Sequence, residues 1–582
     1  MAQFAKCELR PVGLLYGMLF RSGYRLVVLL AASACLLGGC RSYSVSTYPP
    51  AADPGSAAYD PDRDLDAEED RIEAHAHYAT AVAHEMNGDA EGALSEFYEA
   101  AVLDLQNEPL ILEVSRKLLQ AKQLEKARDL LVRATSRPKA SGNLFARLGF
   151  TYFQLGKPDQ AVLANRTAIR REPRSLVGYQ NLFLIFLQQK KLEPALRVLD
   201  DAAKVSGTDS EFLIGLGELY ANYGLQNPSE RKLAHARGLA VLKRAIKEKP
   251  GDPQLGLRLA DGLNMLGQPA EAAKIYQNVL EDLPDVAFLK DGVRTKLADI
   301  YLREKDHARA TQQLEAIVRD NPTDAQAYYF LGSIAYSDTN FTQAAEYFSK
   351  VILLNPEFEQ AYFDLAASRL NHEKPAQALE TLAVAREKFP QKFMTEYLTG
   401  MAYSQQHDFT NALAHFTAAE IIAQATDPKQ LKDSFYFQLG ATSERAGDIE
   451  RAKSYLEKCL ELSPNDDEAQ NYLGFLLADR GEELDRAREL IERALKARPD
   501  NAAYLDSMGW VMFRLNKNQE ALEYLQRAIK NSEEEDSTLY DHLGDVYAAL
   551  QEVEKAREAW KKSLAVEDNE TVRNKLKSAG AQ

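Results

Sequence analysis

Between Asp324 and Lys392 one pattern is written twice, 34 residues apart. Tyr328, Leu331, Gly332, Ala344, Phe348 and Pro356 return as Tyr362, Leu365, Ala366, Ala378, Leu382 and Pro390. A fixed period of this length constrains the fold more than any composition does. One copy is too short to bury a core alone, so successive copies must stack and bury their apolar faces against each other.

The small residue of the Leu-Gly pair sets the register for the whole chain. It recurs at Ala81, Ser115, Gly149, Phe183, Gly217, Ala260, Ala298, Gly332, Ala366, Gly400, Gly440, Gly474, Gly509 and Gly544, giving fourteen units. Ser115 and Phe183 depart from the pattern. Extra residues enter at a few places, chiefly near Gly224–Ala236, and insertions in stacked arrays go to loops. Within a unit the spacing predicts two helices. In the third, Phe145, Leu148, Gly149 and Tyr152 form an i, i+3, i+4, i+7 stripe. Gly156-Lys157-Pro158 breaks the chain, then Ala161, Asn165 and Ala168 follow on a second helix that Pro173 ends. Small residues at 149, 161 and 168 let the two helices approach closely, where larger ones would cost about 1–3 kcal/mol of overpacking.

This order of residues resembles the tetratricopeptide repeat over residues 72–566. The resemblance implies an all-α solenoid, a right-handed superhelix of about fourteen helix-turn-helix repeats. The last units match well, with Asn471-Tyr-Leu-Gly, Leu505-Asp-Ser-Met-Gly-Trp and Tyr540-Asp-His-Leu-Gly-Asp-Val-Tyr547. We expect the array over 71–568. Residues 569–582, polar with Val572 and Leu576 four apart, should form the solvating cap that an open-ended array requires.

Ahead of the array, Arg21 and Arg25 precede the apolar run Leu26–Leu37, which exits through Gly38-Gly39-Cys40. A basic start, a short apolar segment and small residues read as a secretory signal, too short for the roughly 20 residues that span a bilayer. Met18 is an alternative start that gives a leader of more usual length. Leu-Gly-Gly-Cys resembles the lipobox of bacterial lipoproteins, which implies a signal over 1–39 and acylation of Cys40. Arg41 stands where that family's inner-membrane retention signal has Asp, so the resemblance implies the outer membrane, facing the periplasm. Residues 40–70 lack hydrophobic periodicity and are rich in Pro, Ser, Ala and Asp, which predicts a disordered tether with an r.m.s. reach of about 30 Å.

The formal charge is −16, and the leader is net basic, so the body is more acidic still. Such a surface repels phosphate backbones and argues against nucleic acid as a partner. Phosphate-cradling glycine loops, nucleophile elbows and zincin motifs are missing from the sequence. The nine histidines are dispersed apart from His75, His77 and His84, which suit a solvated helix better than a metal site. Cys459 sits where the repeat wants a small buried residue. Arg166, Arg170, Arg171 and Arg174 form a basic helix face. The expectation is therefore no enzyme, no metal and no cofactor.

What remains is surface. Three residues before the small position stand Tyr329, Phe363, Tyr397 and Phe437 in four consecutive units, then Asn471, Asp506 and Asp541, with Phe475, Trp510 and Asp545 four residues later. Phe150 and Phe153 hold related places near the start. In the resembling family this stripe lines a concave groove that takes peptide segments or helices. Rings at this spacing can equally pack between neighbouring helices. The groove reading requires Tyr329, Phe363, Tyr397 and Phe437 to be partly exposed. The resemblance implies a non-enzymatic scaffold that gathers protein partners for a secretion, pilus or exopolysaccharide-export machine. An exported polysaccharide is the alternative ligand, and a peptidoglycan-enzyme adaptor the alternative role.

Overall fold

The computed structural model describes residues 61–284 and 286–579. The leader, Cys40 and residues 41–60 lie outside the described residues. Among those described, every regular element is a helix. They cluster into two compact units, one ending at Pro322 and one beginning at Thr323. The first holds seven helix pairs, from Pro61–Met86 with Ala90–Leu103 to Ala287–Arg303 with His307–Asp320. The second holds seven more, from Ala325–Ser337 with Phe341–Leu354 to Ser537–Ala549 with Val553–Val566, followed by Glu570–Ala579. We number the repeats 1–14 and name their helices A and B.

Each A helix carries one of the fourteen register residues, and the reason for their size is visible across the pair. A Cβ on Gly332 would meet the Phe348 ring at 2.7 Å, and one on Gly400 would meet the Phe416 ring at the same distance. Phe348 and Phe416 are fully buried, so these rings occupy space that only glycine leaves. In repeat 3 the large residue is replaced by Asn165, whose Nδ2 donates to the Ala161 carbonyl at 2.8 Å. Repeat 4 inverts the rule: Phe183 is itself fully buried.

Many A helices begin on a side-chain cap. Asp324 accepts from the Ala327 N–H at 2.8 Å, Asp466 from Ala469 at 3.0 Å and Asn501 from Tyr504 at 3.1 Å. Their ends are more uniform. In thirteen of the fourteen repeats the seventh residue after the register position takes a left-handed backbone, with φ between 54° and 84°. Repeat 5 is the exception, because its A helix runs on through Gly224 to Gln226. Only five of the thirteen are glycine, so the turn imposes this conformation on lysine, glutamate, histidine and even Thr339. A left-handed backbone costs an L-residue about 1–2 kcal/mol, and a β-branched one suits it least. Thr339→Gly should therefore stabilise repeat 8 by about 0.5–1 kcal/mol after glycine's own entropy cost. Hydrogen exchange across 325–354 measures it, and no gain would mean the turn relieves Thr339 in another way.

One expectation changes here. The tether does not extend to residue 70, since the first helix begins at Pro61. Proline suits the first position of a helix and acidic residues its first turns, so an acidic run without apolar periodicity is helical all the same. Glu570–Ala579 packs through Val572 and Leu576 against Ala556 and Trp560. Cys459 is fully buried.

Candidate functional site

The residue three places before the register position belongs to a joint between neighbouring A helices. It meets the residue two places before the register position of the next repeat. Tyr329 donates its hydroxyl to Asp364 Oδ2 at 2.9 Å. Phe437 meets Tyr472 edge to face at 5.7 Å. Asp506 Oδ1 lies 2.8 Å from His542 Nδ1. In the other unit Asn181 uses the same joint, donating to the Ala146 carbonyl at 3.0 Å and to Asn165 Oδ1 at 2.9 Å. One geometry is thus filled by four different chemistries.

This overturns the aromatic groove. Tyr329, Phe363, Tyr397 and Phe437 are 6%, 5%, 9% and 4% exposed, so none lines an open surface. Tyr329 packs on Phe348 and Phe358, and Tyr397 on Phe393, Phe416 and Phe435. The rings face the next A helix and their own B helix because the joint draws them inward. Asn471 and Asp506, expected in the same groove, are also buried, at 0% and 4%.

The last three repeats differ in kind. Phe475 and Trp510, one turn beyond Asn471 and Asp506, remain partly exposed. The imidazole of His542 lies flat on Trp510, 4.2 Å between centroids at 18°, and Phe475 is 6.3 Å from the same ring. Burial pulls the His542 pKa down, and the Asp506 carboxylate outweighs it, so the ring is held above its ordinary value. Asp541 and Asp545 do not face an open track either. Lys575, from the terminal helix, donates to Asp541 at 2.8 Å and to Asp545 at 2.7 Å, and Trp560 Nε1 donates to Asp545 at 3.2 Å. Sequence reasoning missed His542 and Lys575. His542 had a signal in its position beside Asp541, one residue out of the stripe.

Two groups in this cluster have no partner. Both side-chain atoms of Asn471 and the Nε1 of Trp510 are buried without a hydrogen bond. A buried polar group left unpaired costs about 1–3 kcal/mol, and native structures rarely keep one without a role. Here an unpaired carboxamide and an unpaired indole N–H sit beside two partly exposed aromatic faces.

The remaining sequence candidates belong to the other unit. His77 lies 2.6 Å from Glu96 and His84 lies 2.8 Å from Asp89. Arg171 donates to the Pro138 carbonyl at 2.9 Å and Arg170 to Thr167 at 2.9 Å. Phe150 and Phe153 are partly exposed. Among the described residues no group of three or more His, Cys, Asp or Glu could hold a metal ion, and no helix is long and apolar enough to cross a membrane.

Models of the tetratricopeptide repeat match residues 295–362, 445–510 and 507–569. Curated relatives include the human protein O-mannosyl-transferase TMTC3, 24% identical over 410 residues, 67% of this chain and 43% of that protein. The cellulose synthase 1 operon protein C of Komagataeibacter xylinus is 24% identical over 205 residues, 33% of this chain and 15% of that protein. This chain therefore spans less than half the length of these relatives. Similar solved structures include the Cut9–Hcn1 hetero-tetramer of the APC/C, at 15% identity and a TM-score of 0.38, covering 81% of this chain and 96% of that one. YrrB, described as a TPR protein with an unusual peptide-binding site, is 24% identical with a TM-score of 0.29, covering 32% of this chain and 93% of that one. At these TM-scores neither carries a functional inference.

Proposed function

Because this chain is built of tetratricopeptide repeats, we propose that it is a scaffold whose partner docks on the A helices of repeats 12–14, around the partly exposed rings of Phe475 and Trp510. The observation that supports this is the unpaired carboxamide and indole N–H beside aromatic surface. The side chains of a peptide segment cover these rings, the part of the cluster that solvent reaches. The role is binding rather than catalysis. The Asp506–His542 pair would be the orienting half of a hydrolytic triad, but no hydroxyl or thiol is hydrogen-bonded to His542 Nε2 among the described residues.

We also propose that the leader delivers the chain to the outer membrane, where acylated Cys40 holds it facing the periplasm. The motif Leu37-Gly38-Gly39-Cys40 supports the anchor. Similarity to a cellulose synthase operon protein is in keeping with a place in an exopolysaccharide-export machine, the class of envelope assembly we favour.

A photo-crosslinking residue at Phe475, activated in intact envelopes, tests the site. It should trap a discrete protein, and Trp510→Ala should weaken capture roughly 30-fold, the loss of an aromatic hot spot worth about 2 kcal/mol. Capture that Trp510→Ala and Asn471→Ala both leave unchanged would remove the site. Glycan trapped without protein would turn the reading to polysaccharide. Cys40→Ala should release the chain from membranes, and its retention there would refute the anchor.

A further inference from the structure

Repeats 8 and 9 form an open cleft of about 460 Å³ between the helix Phe341–Leu354, the end of Glu359–Asn371 and the start of Pro375–Lys388. Its lining includes Lys350, Arg369, His372 and Lys374, two hydroxyls from Thr342 and Ser349, and one carboxylate, Glu346. In so acidic a chain most cations find a carboxylate. Nearby, Arg386 pairs with Glu396, Lys388 with Glu357 and Lys392 with Glu359. Lys350, Arg369 and Lys374 form no such pair among the described residues.

Lys350 illustrates the arrangement. Glu346 lies one turn before it, the order that normally pairs on a helix. Its ammonium instead sits over the rings of Tyr328 and Tyr347, 5.0 and 5.9 Å from their centroids. Arg369 is anchored through Nη1 alone, which donates to the Gln377 carbonyl at 2.8 Å and to Thr381 Oγ1. That fixes the plane of the guanidinium and leaves its other donors unspent. Glu380 acts on this guanidinium without forming an ion pair. His372 Nε2 is 3.3 Å from the Thr342 hydroxyl, on the same wall. Lys374 is the N-cap of Pro375–Lys388 and supplies no side-chain acceptor, so the first N–H groups of that helix add to the positive character of the cleft.

A fixed guanidinium, two ammoniums and two hydroxyls in one concavity are the donor set for a phosphoryl oxyanion. The volume exceeds what a lone ion fills and lies within the range of small-ligand sites. We propose that this cleft binds a phosphate monoester carried by a small organic molecule or a lipid headgroup. It is separate from the partner site of repeats 12–14 and stands or falls independently of it.

Calorimetric titration of the full chain, in a buffer free of phosphate, tests this with inorganic phosphate, glycerol 3-phosphate and a glutamate-rich peptide as probes. Glycerol 3-phosphate should bind, more tightly than inorganic phosphate, and added salt should weaken it. The double variant Lys350→Gln, Lys374→Gln changes two exposed side chains and should weaken binding ~tenfold or more. Arg369→Lys, which keeps the charge and loses the fork, should also weaken it. Silence from both phosphate probes, affinity unmoved by the double variant, or tighter binding of the acidic peptide would each overturn the proposal. Co-sedimentation of the Cys40→Ala chain with phosphatidylcholine vesicles, with or without phosphatidic acid, assigns the source. Sedimentation that needs both phosphatidic acid and the two lysines means a lipid headgroup, and binding of the soluble ester alone means a free metabolite.

Discussion

Replacing Asp506 with alanine is expected to lower the local stability of repeats 13 and 14 by about 3–5 kcal/mol, the usual cost of stripping one member from a buried ion pair. His542 is 7% exposed and Asp506 4%, so little solvent reaches the imidazolium that is left behind. Replacing both, with Asp506→Leu and His542→Phe, should cost far less, because a phenyl ring keeps the stack on Trp510 and no charge is stranded. Unfolding of a repeat array need not be two-state, so the readout is hydrogen exchange in 502–514 and 537–549. If the single and double variants are equally damaging, the pair holds the joint by shape rather than charge. Because the native His542 pKa is raised above 6.5, its contribution is complete below 6.5 and lost as the pH rises through the native value. Repeats 13 and 14 should therefore loosen from neutral pH upward, and the double variant should not.

At the joint between repeats 8 and 9, Asp364→Asn is expected to stabilise the protein at pH 8 by on the order of 2–3 kcal/mol. Burial pushes the Asp364 carboxyl up to about 6, against the hydrogen bonds from Gln360 and Tyr329 that favour its charged form. A carboxyl raised from its unfolded value of 3.8 lends stability that is complete below that value and disappears as the pH climbs through about 6. The wild-type chain should thus lose protection in helix 359–371 between pH 4 and 7, and the amide variant should hold it. An Asp364→Asn chain with the wild-type slope would mean the carboxylate is already ionised and well solvated by its two donors.

Much of this was written in the amino-acid sequence. The period fixes fourteen helix pairs because only stacking buries their apolar stripes, and the register residues must be small where a ring such as Phe348 or Phe416 comes opposite. Proline and glycine mark the turns, although the left-handed residue that closes thirteen of the A helices is more often not glycine, which no propensity would single out.

The direction of the aromatic stripe was not written there. Tyr329, Phe363, Tyr397 and Phe437 have the same helical spacing whether they line a groove or fill a joint, and the packing of successive A helices buries them as joint residues. The same packing decides that Asn471 and Trp510 end without partners while Asp541 and Asp545 are claimed by Lys575 from a helix 30 or more residues away. The cleft of repeats 8 and 9 likewise needs three helices to bring Lys350, Arg369 and Lys374 around one space. Periodicity reports which face of a helix is apolar, since that follows from the chain's own geometry. Which neighbour that face meets depends on how two helices cross, and that is settled only when they pack.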